Sequence, residues 1–120
     1  VTNNVYSQNP ENKPLGINKE GHSSTLNVMT FNVRYDEPRD SLQNWKCRKD
    51  FVANIIHFYD IDILGTQEAL NSQRDDLVNR LPDYSVIGVG REDGKEKGEF
   101  AAIFYKKDRF EMIKSGTFWL

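Results

Sequence analysis

The sequence predicts a layered α+β fold whose sheet is mixed and largely antiparallel, and two observations predict it. From Leu26 to Leu81, apolar runs of strand length alternate with apolar residues at helical spacing, in the order strand, helix, strand, helix. After Pro82 the rhythm changes to three apolar segments, "YSVIGVG", "EFAAIFYKK" and "FEMIKSGTFWL", joined by polar turns that include Asp93-Gly94 and Lys107-Asp108. Such segments read as consecutive antiparallel strands.

Residues 1–25 are rich in Asn, Pro, Gly and Ser with almost no apolar period, and they read as a flexible arm or linker in which His22 is solvated. The ordered part, 26–120, opens with a strand from Leu26 to about Tyr35, followed by a loop through Pro38, Asp40 and Asn44. A helix spans Trp45 to Tyr59, with Phe51, Val52, Ile55, Ile56 and Tyr59 on its sheet-covering side and Asn54 and His57 on its polar side. The next strand, Ile61 to Leu64, stops at Gly65. A second helix starts near Ser72, where Ser72 and Asp75 make a capping box, and ends at Leu81 before Pro82. The later strands leave Val86, Ile103 and Phe104 or their neighbours on an apolar face that no following helix covers, so the fold reads as one half of a larger layered structure.

Composition narrows the function classes without naming one. Sixteen basic and eighteen acidic residues give a formal net charge of −2, so any anionic substrate must be held by a local cluster rather than by bulk charge. Cys47 is the single cysteine, which excludes an internal disulfide and a cysteine-based metal site. No apolar run is long enough to span a bilayer and no leader is visible, so a cytoplasmic site and secretion after leader cleavage both stay open.

The chemistry-bearing candidates are polar residues at strand ends. Asn32 interrupts the apolar "VMTFNV", Glu68 follows the second strand in "DILGTQE", and Glu99 opens a later strand in "GREDGKEKGEF". In layered α/β folds the rim at which strands end is where side chains are rigidly held yet reach solvent. Each residue alone has a bland explanation: a backbone-bonded amide, a loop carboxylate, a turn residue. Arg34, Arg39, Arg48, Arg91, Lys95 and Lys97 either gather around that rim to bind phosphate or form a solvated surface. Trp45 reads more readily as a core aromatic than as a base-stacking platform.

In combination, "MTFNVRYD", "DIDILGTQEAL" and "GREDGKEKGEFAAIFYKKDRF" resemble the endonuclease/exonuclease/phosphatase superfamily of metal-dependent phosphoesterases, over nearly all of Leu26 to Leu120. The resemblance implies the N-terminal half of a four-layer αββα sandwich, the C-terminal half being required for activity. It makes Glu68 the carboxylate ligand of a catalytic Mg²⁺, with Mn²⁺ as a substitute, and gives Asn32 the task of orienting the scissile phosphate or a metal-bound water. Glu99 corresponds to the acid that holds a catalytic histidine; neither His22 nor His57 suits that histidine, which must come from the other half together with an Asp-x-Asn pair.

Arg34 is the substrate-binding candidate. "FNVR" resembles pancreatic-type deoxyribonucleases and a broad bacterial group more than abasic-site endonucleases. The expected activity is Mg²⁺-dependent hydrolysis of a phosphoester, a nucleic acid or a smaller molecule. The alternatives are a lipid-headgroup or inositol phosphatase of the same family, and a binding or scaffold protein that kept the fold without catalysis.

Overall fold

The computed structural model describes residues 2–3 and 25–119. Strand β1 is Thr2–Asn3, β2 Val28–Asn32, β3 Ile63–Gln67, β4 Tyr84–Ile87, β5 Ile103–Lys106 and β6 Thr117–Phe118; helix α1 is Trp45–Phe58 and α2 Asn71–Arg80. A four-stranded sheet runs in the order β2-β3-β5-β4, with β2 and β3 parallel and the other two pairs antiparallel. The α+β class and the mixed, largely antiparallel sheet are as expected. Most of the arm assigned to residues 1–25, His22 included, lies outside the described residues. Its Thr2 and Asn3 pair antiparallel with Phe118 and Thr117 in a separate two-stranded ribbon.

Helix α1 starts where Asn44, in an extended conformation, accepts the Cys47 N–H at 3.2 Å, and where Asp36 accepts the Trp45 N–H at 3.2 Å. Its buried side is Trp45, Val52, Ala53 and Ile56, packed with Leu64, Leu77, Phe100 and Phe104 in one core. The expected inward set is therefore corrected: Phe51 is 66% exposed and Tyr59 59% exposed, and only Val52 and Ile56 of the five are fully buried. Two apolar stripes at helical spacing lie side by side on this helix, and periodicity does not say which one faces the sheet. Trp45 is a core residue whose indole N–H donates to Asp76 at 2.9 Å, and Lys49 and Arg80 reach the same carboxylate at 3.0 Å. That shared acceptor clamps α1 to α2.

Strand β3 continues past Gly65 to Gln67, a second correction. The Thr66 N–H donates to Ala102 at 2.8 Å and the Gln67 carbonyl accepts from Val33 at 3.1 Å, so both neighbours extend the ladder beyond the apolar run. Helix α2 starts at Asn71 without the Ser72–Asp75 box. The buried Gln73 side chain instead takes the Leu70 N–H at 3.1 Å. Among the described residues of the third C-terminal segment only Thr117–Phe118 is strand, and it does not pair with β5.

One sheet face packs on the helices and the other is open. The register puts Met29, Leu64, Phe104 and Val86 on the helix side and Val28, Ile63, Ile103 and Ile87 on the open side. The open apolar face carries Ile103, as expected, together with its pairing neighbour Ile87, whereas Phe104 is buried and Val86 packs against the core.

At the sheet end remote from the C-termini of β2 and β3, Asp62 is fully buried, with Arg109 at 2.5 Å, Lys106 at 3.1 Å and the Asn27 N–H at 2.9 Å. Burial alone would push this carboxyl up. The Asn27 N–H, Arg109 and Lys106 together outweigh it and hold the carboxyl below the ordinary range. This network fixes the start of β3.

Candidate active site

Because β2 and β3 are parallel, with Asn32 paired to Gln67, their C-terminal ends share one rim. There the Asn32 Nδ2 donates to Glu68 Oε1 at 2.8 Å, while Asn32 Oδ1 accepts the Arg34 N–H at 2.8 Å. The amide is thus fixed at both ends. Among the described residues the second carboxylate oxygen of Glu68 takes no hydrogen bond.

Two residues at this rim hold left-handed backbone without being glycine: Arg34 at φ 55 and Glu68 at φ 61. Such conformations cost on the order of 1 kcal/mol or more and persist where the surroundings over-determine them. Gln73 supplies that constraint. Its Nε2 donates to the Arg34 carbonyl at 2.9 Å, and its Oε1 takes the N–H groups of Asp36 at 2.9 Å and Leu70 at 3.1 Å. One buried side chain therefore ties the loop after β2 to the loop after β3. Sequence reasoning missed Gln73, although a Gln three residues after the helix-capping position is a signal for it.

Glu99 reaches the same rim by another route. Phe100 bridges Ala69 on one side and Gly90 on the other, so Glu99 immediately precedes the residue that pairs with the neighbour of Glu68. Its carboxylate pairs with Arg91 at 2.9 Å and makes no hydrogen bond to Glu68 or Asn32. Gly90 is obligatory for this turn, since a β-carbon there would lie 2.2 Å from the Lys97 carbonyl oxygen.

The arginines are engaged one by one. Arg34 donates to both oxygens of Asp40 at 2.7 Å, a two-pronged pair that raises its pKa further. Arg39 pairs with Glu37, whose carboxyl its hydrogen bonds bring down to about 2. Arg48 donates to the backbone carbonyls of Gln43, Val33 and Arg34 and so shapes the loop rather than a phosphate site. Lys95 and Lys97 are exposed. His57, on the far helix, bonds through Nε2 to the Arg80 carbonyl at 3.1 Å. Among the described residues no three His, Cys, Asp or Glu side chains cluster closely enough to enclose a metal ion. No helix among them is long and apolar enough to cross a membrane.

A model of the Endonuclease/Exonuclease/phosphatase family matches residues 29–116. The fold superposes with a TM-score of 0.74 on an endonuclease/exonuclease/phosphatase of Bacteroides vulgatus that is 54% identical, covering 75% of this chain and 34% of that one. A mannosyl-6-phosphatase of Bacteroides thetaiotaomicron VPI-5482, also at a TM-score of 0.74, is 41% identical over 77% of this chain and 35% of its own. The CCR4-Not complex 3'-5'-exoribonuclease subunit Ccr4 of Mycosarcoma maydis is 25% identical over 88% of this chain and 19% of its length. The chain therefore spans about a third of the solved relatives and about a fifth of Ccr4.

Proposed function

Since the chain belongs to the endonuclease/exonuclease/phosphatase family, we propose that it carries part of the active site of a Mg²⁺-dependent phosphoester hydrolase, completed by a C-terminal half. The observation that carries this reading is the Asn32–Glu68 contact at 2.8 Å on a rim where Glu68 keeps a left-handed backbone. The donor set fits the ion: Mg²⁺ takes oxygen ligands, commonly one or two carboxylates, and retains waters, so a single Glu68 with one oxygen uncommitted within the described residues is sufficient from this half. When bound, Mg²⁺ (or Mn²⁺) would neutralise charge developing on the phosphoryl oxygens.

The chain's own residues do the positioning. Asn32 spends one amide hydrogen on Glu68 and keeps the other for a phosphoryl oxygen, adding no negative charge. Glu99, with one oxygen on Arg91, orients a histidine from the C-terminal half and stabilises it as it gains a proton. Arg34 exchanges Asp40 for a substrate phosphate oxygen. In the overall reaction a water oxygen bonds to phosphorus as the ester P–O bond breaks, and the alcohol departs with a proton.

Within this class a small phosphoester is favoured over a polynucleotide. Nucleic-acid binding draws on several unpaired cations along the backbone, whereas Arg39 and Arg91 are each paired with a carboxylate. The 41% identity to a mannosyl-6-phosphatase, against 25% to an exoribonuclease, points the same way. The test is a substrate panel on the full-length protein with added Mg²⁺: hexose 6-phosphates, bis-p-nitrophenyl phosphate and single-stranded RNA. Hydrolysis of the first, abolished by EDTA, is expected. Cleavage of RNA alone would overturn the small-substrate reading, and no hydrolysis of any of them would overturn the reaction class.

A further inference from the structure

The segment between β2 and α1 is fastened at both ends and held in the middle by one ion pair. At its start Glu37 accepts the Arg39 N–H at 3.1 Å and pairs with the Arg39 guanidinium at 3.0 Å. At its end Asn44 caps α1, and the Gln43 carbonyl accepts from Arg48. Between them Pro38–Gln43 forms a short 3₁₀ segment that buries none of its residues, and Leu42 stands 85% exposed. Ser41 inside it has φ 50 and ψ −117, a backbone that a residue other than glycine keeps only under constraint. Among the described residues, the one side-chain ion pair or hydrogen bond made by residues 40–43 is that of Asp40 with Arg34.

Arg34 has a fixed root and an accessible head. Its N–H donates to Asn32 Oδ1 at 2.8 Å, and its carbonyl accepts from Gln73 at 2.9 Å and Arg48 at 3.3 Å, so its backbone is held on both sides. Its side chain is 55% exposed, against 14% for that of Asp40. The hydrogen bonds to Asp40 and the charge on that carboxylate raise the Arg34 pKa, and the Glu68 carboxylate adds to the effect, so the guanidinium lies within the field of Glu68. A carboxylate offers the guanidinium fork the same two-oxygen face that a phosphate offers.

We propose that Asp40 is a built-in competitor of the substrate: its carboxylate holds the place of the phosphate on Arg34, and a phosphoester that takes the guanidinium unlatches residues 38–43. The inference rests on the reading of Arg34 as a phosphate ligand given above. It adds what the exchange accomplishes, which is to set the affinity for phosphate and to free the strap. Only molecules with Asp40 detached are ready to bind, so the apparent dissociation constant for phosphate exceeds the intrinsic one by the reciprocal of their fraction. For an exposed ion pair that factor is about two to six. Because the strap buries none of its residues, its release uncovers no core, and the strain at Ser41 favours that release. A neutral alcohol or sugar group does not displace a carboxylate from a guanidinium, so the latch answers to the phosphate and not to the rest of the substrate.

The experiment uses the full-length protein with Mg²⁺ present, wild type and with Asp40→Asn, Arg34→Ala or both. Calorimetric titration with inorganic phosphate should give a dissociation constant about two- to sixfold lower in Asp40→Asn than in the wild type, and no such gain once Arg34→Ala is present. Hydrogen exchange read by mass spectrometry should show the amides of residues 39–43 exchanging faster when phosphate is added to the wild type, and already fast in Asp40→Asn without it. Weaker or unchanged phosphate binding in Asp40→Asn would overturn the proposal, because Asp40 would then be a support that holds Arg34 ready. An equal gain in the Arg34→Ala background would overturn it too, leaving Asp40 a merely repelling charge, as would exchange of 39–43 that phosphate slows or leaves unchanged. If no phosphoester is hydrolysed, the reaction class fails and these two measurements still judge the latch: phosphate bound by neither the wild type nor Asp40→Asn would overturn it.

Discussion

Replacing Glu68 by glycine should leave the protein more stable than replacing it by alanine, the reverse of the usual order. Both substitutions remove the carboxylate and its contact with Asn32, so their difference isolates the backbone. At φ 61 a residue with a β-carbon stands in the left-handed region, at a cost of about 1–2 kcal/mol that glycine escapes. Glycine in turn loses roughly 0.5–1 kcal/mol to the greater freedom of its unfolded chain. The balance favours glycine by about 0.5–1 kcal/mol, which for a urea dependence of ~1–3 kcal/mol per M separates the midpoints by roughly 0.2–1 M. Urea unfolding of the two full-length variants side by side, followed by tryptophan emission, measures this directly. An alanine variant as stable as the glycine one would refute the argument that the loop after β3 holds Glu68 in a strained conformation. Both variants should be equally inactive, because the strain is retained for the carboxylate and not for the fold.

Other consequences follow from named contacts. Asp62→Asn should destabilise the fold by roughly 3 kcal/mol, at the low end for breaking a buried pair because Lys106 keeps Asp60 at 2.5 Å. Since the folded carboxyl titrates below its unfolded value near 4, its contribution is complete above that value and is lost as pH falls through the folded pKa. The gap between wild type and variant in chemical denaturation should therefore narrow in strong acid. Glu99→Gln should lower turnover while leaving Mg²⁺ affinity within about twofold, checked by kinetics beside calorimetry; a matching loss of affinity would make Glu99 a ligand instead. The 120-residue chain by itself should hydrolyse no phosphodiester and should self-associate in sedimentation through Val28, Ile63, Ile87 and Ile103 on the open sheet face. Monomeric behaviour with full activity would contradict the half-site reading.

Much of this organisation is legible in the residues because it is local or follows from chain direction. Asn44 before Trp45, and Leu81 before Pro82, mark helix limits that neighbours a few residues away determine. Asn32 and Glu68 meet because a strand–helix–strand unit returns both strand ends to one rim. What stayed hidden depends on partners far along the chain. The two apolar stripes of α1 are equivalent until Leu64 and Phe104 choose Val52 and Ile56 over Phe51 and Tyr59. A one-residue phase in β5 decides whether Phe104 or Ile103 is buried, and the ladder to β3 sets it. The pairing of Arg34 with Asp40 and the threefold use of Gln73 are likewise loop contacts with no period to reveal them.

The central claim is that Glu68 supplies the carboxylate for a catalytic metal ion, and its most direct test is calorimetric titration of Mg²⁺ into the full-length protein with and without Glu68→Gln. This substitution keeps the side chain's shape and its contact with Asn32 while removing the charge. The account predicts a single site in the wild type whose affinity drops by at least about tenfold in the variant. Equal Mg²⁺ binding by the two proteins would contradict it.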